Sequence, residues 1–413
     1  MVKQKRDFIW NTLGSISFSA TFPLLTVAIS RVLDAEQSGL FSVAFVTSQL
    51  MMIIGNYAVR IYQVSDIREE YSYKEYYIHR YTTCFIMMVV GIFFVNFKGY
   101  IGKIFLLNIL LCFYKMIDAL ADVYEGRLQQ MDFLDKAGKS LFFRTFLSIG
   151  IFIMTLISFK DIYLSTLSMI FVSIVILVIM SILPAHGMKS KNRNCSLIHV
   201  IDLYRQCGPL FISLFLFNYV VNSPKYEIEK VFPYEYQTHF NALYFPAQVI
   251  FLLSNFIFKP LIISMTNYWN NIEEHSMLNK LIIKIFGLVF LLVIVSSAFM
   301  YMFGISILGW LYQVDLSMYK GISIIMMING GFIACINFMY FVLTIMRKQN
   351  LLMLSYISGF LCSIFIFDIF IQKLYMWGVV LAYMLILFII FSSLLFFYVK
   401  EMSKTKVLSN KGG

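Results

Sequence analysis

The sequence predicts an all-α polytopic membrane protein of about twelve transmembrane helices, and three observations carry that expectation. The 413 residues are 60% hydrophobic and 17% aromatic but only 13% charged, whereas soluble domains carry about 25% charged residues. Apolar runs of about 20 residues recur along the whole length, each long enough to cross a bilayer core of about 30 Å. The alternating segments of about 10 residues that mark a membrane barrel are missing.

Taken in order, spans are expected near residues 8–30, 39–58, 80–97, 101–121, 140–158 and 162–183, then 207–223, 241–263, 280–302, 320–345, 351–370 and 375–398. The first opens with "FIWNTLGSISFSATFPLLTVAIS", longer than the 7–15-residue apolar core of a cleavable signal, so it is expected to stay in the protein. It contains Pro23 and closes on Arg31; the second is followed by Arg60. The fourth runs uncharged from Ile104 to Phe113 and then meets Lys115 and Asp118. The seventh ends at Pro224 and Lys225, the eighth carries Lys259 late, and Asp368 sits at the outer end of the eleventh. Pro23 and Pro224 are candidate hinges, because proline frees carbonyls in a membrane helix. The connecting loops stay near 20 residues or fewer, the longest being 59–79, 122–139, 184–206 and 224–240.

The net charge of +11 has to be placed before it is interpreted. With the N-terminus inside, cytoplasmic loops and inner span ends hold 23 of the 33 Lys and Arg residues. That bias is the positive-inside rule. It puts both termini in the cytosol and explains the charge without a nucleic-acid partner. The six cysteines have no CxxC and no histidine at metal spacing, and read as small packing residues. No metal or cofactor is expected. HExxH, GxSxG and Walker patterns are absent, and the largest external loop, "SPKYEIEKVFPYEYQTHFN", has one histidine, so an enzyme is not expected.

A weak internal repeat divides the chain. Shifted by 199 residues, Gln4–Gln63 lies on Leu203–Ile262 without a gap, pairing Arg6 with Arg205, Glu36 with Glu235, Gln49 with Gln248 and Asn56 with Asn255. Arg31 falls on Lys230 and Arg60 on Lys259, so "GNYAVR" overlies "SNFIFK". An even number of spans per half makes the repeats parallel. The expected organisation is a six-helix bundle at 1–185, a cytoplasmic linker at 186–206 through "HGMKSKNRNCS", a second bundle at 207–399 and a tail at 400–413.

The sharpest local feature is "YKMIDALADVYEGRLQQ" (114–130). At 100° per residue, Lys115, Asp118, Asp122, Glu125 and Gln129 fall within an arc of about 80°. A charge at lipid depth costs about 2.5–3.5 kcal/mol, so the stripe is expected to face protein or water. Two readings stay open: a helix protruding past the membrane with Lys115 and Asp118 paired at i,i+3, or the inlet wall of a hydrophilic cavity.

Several stretches resemble the polysaccharide (O-antigen) flippases of the multidrug/oligosaccharidyl-lipid/polysaccharide exporter superfamily. They are "FIWNTLGS", "SRVLDAEQSGLFSVAF", "YQVSDIREEYSYKEYYIHRYTTC", "DVYEGRLQQMDFLDKAGKS", "PLFISLFLFNYVVNSPKYEIEKVF" and "FNALYFPAQVIFLLSNFIFKPL", which together cover most of residues 1–261. "NSPKY" (222–226), with Lys225 and Tyr226, is the most specific. Asp34 stands where the family commonly has glycine, and "PKYEIE" departs from its "PKYAID" pattern by adding Glu227. The resemblance implies a V-shaped pair of six-helix bundles around a cationic cavity in the bacterial inner membrane. It implies translocation of a polyprenyl-diphosphate-linked oligosaccharide between leaflets, with a polysaccharide polymerase and glycosyltransferases as partners. Arg31, Arg60, Lys115, Lys225, Lys230 and Lys259 are then the cations available to a diphosphate, with Asp118 and Asp122 beside them. A drug or metabolite antiporter of the same superfamily remains the alternative, ahead of a membrane-embedded polysaccharide enzyme.

Overall fold

The computed structural model describes residues 2–66, 69–188, 195–271 and 274–409. Residues 189–194 of the expected linker, the side chain of Lys259 and the end of the tail lie outside this description. No strand occurs among the described residues. The chain is a polytopic helical protein, with ten helices among the described residues long and apolar enough to cross a membrane. Two further expected spans are accounted for by a 36-residue helix over Glu235–Asn270 and by a break at Tyr375 that divides the last helix. The chain forms two compact units, Met1–Phe215 and Leu216–Gly413.

The first unit holds α1 (Val2–Val32), α2 (Ala35–Asn56), α3 (Val59–Ser65), α4 (Tyr73–Phe97), α5 (Gly102–Gln130), α6 (Leu134–Phe159), α7 (Ile162–Ile176) and α8 (Leu183–His186). A wide-turn stretch, Leu177–Ile182, joins α7 to α8. The first part of α9 (Leu197–Val231) completes the unit. Helix starts follow from capping chemistry. Asp34 accepts the Gln37 amide at 2.7 Å to open α2, and Asp161 accepts those of Tyr163 and Leu164 to open α7. At α4, the Glu75 carboxylate accepts the Ser72 amide at 2.6 Å. The α4 cap lies beyond the apolar run, so α4 begins seven residues before the span expected from hydropathy; α9 begins ten residues before its own.

Within this unit α1 packs on α6, α6 on α7, and α2, α4 and α5 on one another. Phe22, Phe41, Phe45 and Phe152 interlock at the centre, with ring centroids 5.1–5.7 Å apart. Gly138 lets α6 approach α1: a Cβ there would fall 2.6 Å from the Trp10 carbonyl carbon. On α4, Phe85, Val89 and Phe93 are exposed at four-residue spacing while Cys84, Met87, Gly91 and Val95 are buried. One face therefore suits lipid and the other suits protein.

The second unit holds the rest of α9, α10 (Glu235–Asn270), α11 (His275–Phe299), α12 (Ile305–Tyr312), α13 (Lys320–Ile345) and α14 (Gln349–Ser409). Here α10, α11 and α14 each pack on α13. Gly330 of α13 abuts Ala247 of α10, where a Cβ would come within 2.9 Å of backbone. Small residues at such contacts are how membrane helices pack closely. Pro23 and Pro224 lie inside α1 and α9, neither of which breaks at the proline. The break comes at Tyr375 in α14, with φ 51° and ψ −127°.

Candidate functional site

The polar stripe lies on one unbroken helix, α5, and each of its carboxylates bridges two cations. Asp118 accepts from Lys115 at 2.9 Å and from Arg144 of α6 at 3.1 Å. Glu125 takes Arg144 at 2.5 Å and Arg60 of α3 at 3.6 Å. Asp122 takes Arg60 and Arg80 of α4, both at 2.6 Å. The result is a continuous chain from Lys115 to Arg80, with four cations against three carboxylates. Neutral partners complete it: Ser140 donates to Glu125 at 3.0 Å and Arg60 to Gln129 at 3.1 Å.

The two ends of the chain differ. Lys115 and Asp118 have side chains 1% and 3% exposed, so this end faces protein. Its ammonium lies 4.8–4.9 Å from the ring centroids of Phe18, Phe45 and Tyr114, where cation–π attraction offsets part of the lost hydration. Toward the other end, before the fully buried Arg80, Arg60 is 31% and Asp122 20% exposed, and there the chain reaches solvent. Burial opposes the charge on Arg60, but Asp122 and Glu125 outweigh it and hold its pKa above the ordinary value.

The local backbone explains why Arg60 points at α5. Helix α2 stops at Tyr57 and Ala58, two successive left-handed residues with φ 44° and 57°. Each costs about 1–2 kcal/mol for a non-glycine residue. The elbow turns α3 against α5, where Gln63 Nε2 donates to the Val123 carbonyl at 2.9 Å. Arg80 donates to the Gly55 carbonyl at 2.7 Å and to Asn56 Oδ1 at 3.1 Å. It thus satisfies a carbonyl left open at the end of α2, where the helix dipole favours a cation.

Lys115, Asp118, Asp122 and Arg60, singled out in the sequence, therefore meet in one network. Arg31 is exposed at the last turn of α1. Lys225, Tyr226 and Lys230 belong to the second unit. There Lys225 is buried with its ammonium 5.7 Å from the Tyr244 ring centroid, Tyr226 stacks on Tyr219, and Lys230 pairs with Glu227 at 2.7 Å. Sequence reasoning missed Arg80 and Arg144, both fully or nearly fully buried. Arg144 carried a usable signal, because an arginine five residues into an expected span is itself a mark of a partner. No grouping of three His, Cys, Asp or Glu side chains suited to a metal ion occurs among the described residues.

No protein-family profile matches the sequence, and no curated protein matches it. Solved structures do match over nearly the whole chain. The lipid II flippase MurJ in an inward closed conformation is 16% identical, with 96% of this chain and 90% of that one covered at a TM-score of 0.69. An inward-facing multidrug resistance MATE family transporter of the MOP superfamily is 14% identical, with 94% and 95% covered at 0.65. A MATE transporter of Vibrio cholerae is 12% identical, with 98% of each chain covered at 0.65. The chain has the fold of MOP-superfamily transporters, a fold used both by MATE drug exporters and by a lipid flippase.

Proposed function

We propose that the protein is a flippase for a polyprenyl-diphosphate-linked oligosaccharide in a bacterial cytoplasmic membrane, with both termini in the cytosol and its product used in surface-polysaccharide assembly. The observation that supports this reading over drug antiport is that every stripe carboxylate bridges two cations. An antiporter driven by protons or sodium needs a carboxylate that gives up its partner to the coupling ion. Here that exchange would take a partner from two cations at once, and releasing Asp118 or Asp122 would leave the buried Lys115 or Arg80 with no carboxylate in the chain. The surplus is of the opposite sign, and it reaches solvent at Arg60. A guanidinium there suits a diphosphate, which it binds through paired hydrogen bonds. The headgroup needs a hydrated, cationic path, while the polyprenyl tail stays in lipid, and no covalent step is required. Lys225 and Lys230 of α9 and Lys259 of α10 are the cations that the second unit contributes to the proposal.

The test is reconstitution of the full chain in proteoliposomes carrying a labelled polyprenyl-diphosphate oligosaccharide. Translocation is read as the fraction of glycan open to an impermeant glycosidase. The expected result is protein-dependent exchange between leaflets, reduced about tenfold or more by Arg60→Gln. Proton-driven efflux of organic cations, with no movement of the lipid-linked glycan, would overturn the reading in favour of the antiporter.

A further inference from the structure

The first unit contains a second polar feature, on the other face of α3 from Arg60. A cavity of about 350 Å³ opens among Tyr62, Ser65 and Asp66 at the end of α3, Glu70, Tyr71 and Tyr76 at the start of α4, and Gln206 on α9. That volume lies at the small end of the ligand-site range of about 300–1,000 Å³. Its chemistry is one-sided, because its side-chain donors are already committed. Tyr62 donates to the Gln206 carbonyl at 3.1 Å, Tyr71 to Asp202 at 2.5 Å and Tyr76 to Asp66 at 3.1 Å. Gln206 Nε2 donates to both the Tyr71 hydroxyl and Asp202, each at 2.7 Å. The Ser65 hydroxyl is turned back to the carbonyls of Ile61 and Tyr62. Burial and the bond to Asp202 push the Tyr71 phenol well above its ordinary range, so it stays protonated.

What the cavity offers a ligand is therefore acceptors and rings. The acceptors are the Glu70 carboxylate, the amide oxygen of Gln206 and the Asp66 carboxylate, whose Oδ1 already takes the Glu70 amide at 2.8 Å and whose Oδ2 takes the Tyr71 amide and the Tyr76 hydroxyl at 3.1 Å; the walls are three tyrosine rings fixed by their own hydroxyl bonds. Among the described residues, no Lys, Arg or His lines it. Asp66, Glu70 and the adjacent Asp202 have no ion pair with any described residue. In the same unit, the α5 carboxylates each hold two cations. An aromatic-walled site rich in acceptors, whose carboxylates have no ion pair among the described residues, complements a group that brings donors and positive charge together.

We propose that this cavity binds a protonated amine, with the ammonium at Asp66 and Glu70 and its carbon frame against the rings of Tyr62, Tyr71 and Tyr76. Two sources supply that chemistry, an amino sugar on a glycan and a free polyamine. The site is separate from the charged chain on α5 and does not rest on the flippase reading.

Binding to the purified full-length chain in detergent tests it, by titration calorimetry with glucosamine and putrescine as probes and N-acetylglucosamine as the same ring without the charge. Saturable binding of at least one amine is expected, with N-acetylglucosamine weaker by about tenfold or more. Glu70→Gln, an exposed position where the fold is not at stake, should weaken amine binding by a similar factor. Tighter binding of glucosamine assigns the amino sugar, and tighter binding of putrescine the polyamine. N-acetylglucosamine binding as tightly as the amines would overturn the proposal. So would an amine affinity unchanged in Glu70→Gln, or no saturation by either amine. The assay involves no translocation, so its failure leaves the flippase reading standing.

Discussion

Helices α5 and α13 occupy like places in their units, each packed against neighbours on several sides, yet they bury opposite kinds of surface. α5 carries Lys115, Asp118, Asp122 and Glu125 into its packing, all ion-paired. α13 carries no charge from Gly321 to Ile345; the polar groups it turns to its neighbours include Asn329, bonded to the Val380 carbonyl at 3.3 Å, and Asn337, bonded to Asn255 at 2.9 Å. The repeat makes the contrast sharper. Asn56 accepts from Arg80, whereas its repeat mate Asn255 accepts from the amide of Asn337. The two positions that the 199-residue shift pairs thus anchor an ion network in one unit and a neutral pair in the other. Neutral amides in lipid can exchange partners cheaply. Buried ions cannot, because each break leaves a bare charge. The first unit is thus the costly one to rearrange internally and the second the more forgiving.

The largest expected effect follows directly. Arg144→Leu removes one cation and breaks two buried pairs, leaving Asp118 with Lys115 alone and Glu125 with only the longer 3.6 Å contact to Arg60. A loss of at least about 3–5 kcal/mol is expected, enough to deplete folded protein from the membrane. Lys115→Met should cost less, because Asp118 keeps Arg144. Unfolding in graded denaturant, or the folded fraction recovered from membranes, orders the two variants. Equal losses, or a stable Arg144→Leu, would break the picture of a shared chain.

Much of this was legible before the structure. Hydropathy gave helices at all twelve expected spans, and the 100° rule placed the stripe on one face of α5. Partners were the hard part. The i,i+3 pair of Lys115 and Asp118 could be foreseen because its geometry is local to one helix. Arg80 and Arg144 meet the stripe only through tertiary packing, at sequence separations of 42 and 19–26 residues. Their nearness to expected span ends made them look like ordinary interfacial bases. The elbow at Tyr57 and Ala58 carried no glycine to announce it. The tyrosine–carboxylate cavity was invisible for the same reason: it joins the start of α4 to α9, more than 120 residues apart.

That elbow supplies the next test. Ala58 has φ 57°, a region glycine enters freely and alanine does not. Since the turn aims Arg60 at Asp122, Ala58→Gly should relieve strain while leaving the pair intact, stabilising the first unit by up to about 1 kcal/mol. The measure is thermal stability of the purified chain. Destabilisation would show instead that the alanine methyl contributes packing that outweighs the backbone cost.

The smallest expected effect belongs to the second unit, and it decides whether the contrast is one of energy as well as composition. Asn255 and Asn337 share a single hydrogen bond between α10 and α13. Such bonds in membrane proteins are worth about 0.6 kcal/mol on average and rarely above about 1.7. Asn337→Leu should therefore cost at most about 1–2 kcal/mol, since Asn255 also donates to the Phe251 carbonyl at 3.0 Å and is not left wholly unsatisfied. A double-mutant cycle with Asn255→Leu should return a coupling of about 0.6 kcal/mol. A cycle on Arg80→Leu and Asp122→Leu, run under the same conditions, should return several times that value. If the two couplings came out alike, the buried charges of the first unit would be no firmer a tie than a neutral amide pair. Their resistance to exchange with a coupling ion would then have no energetic basis.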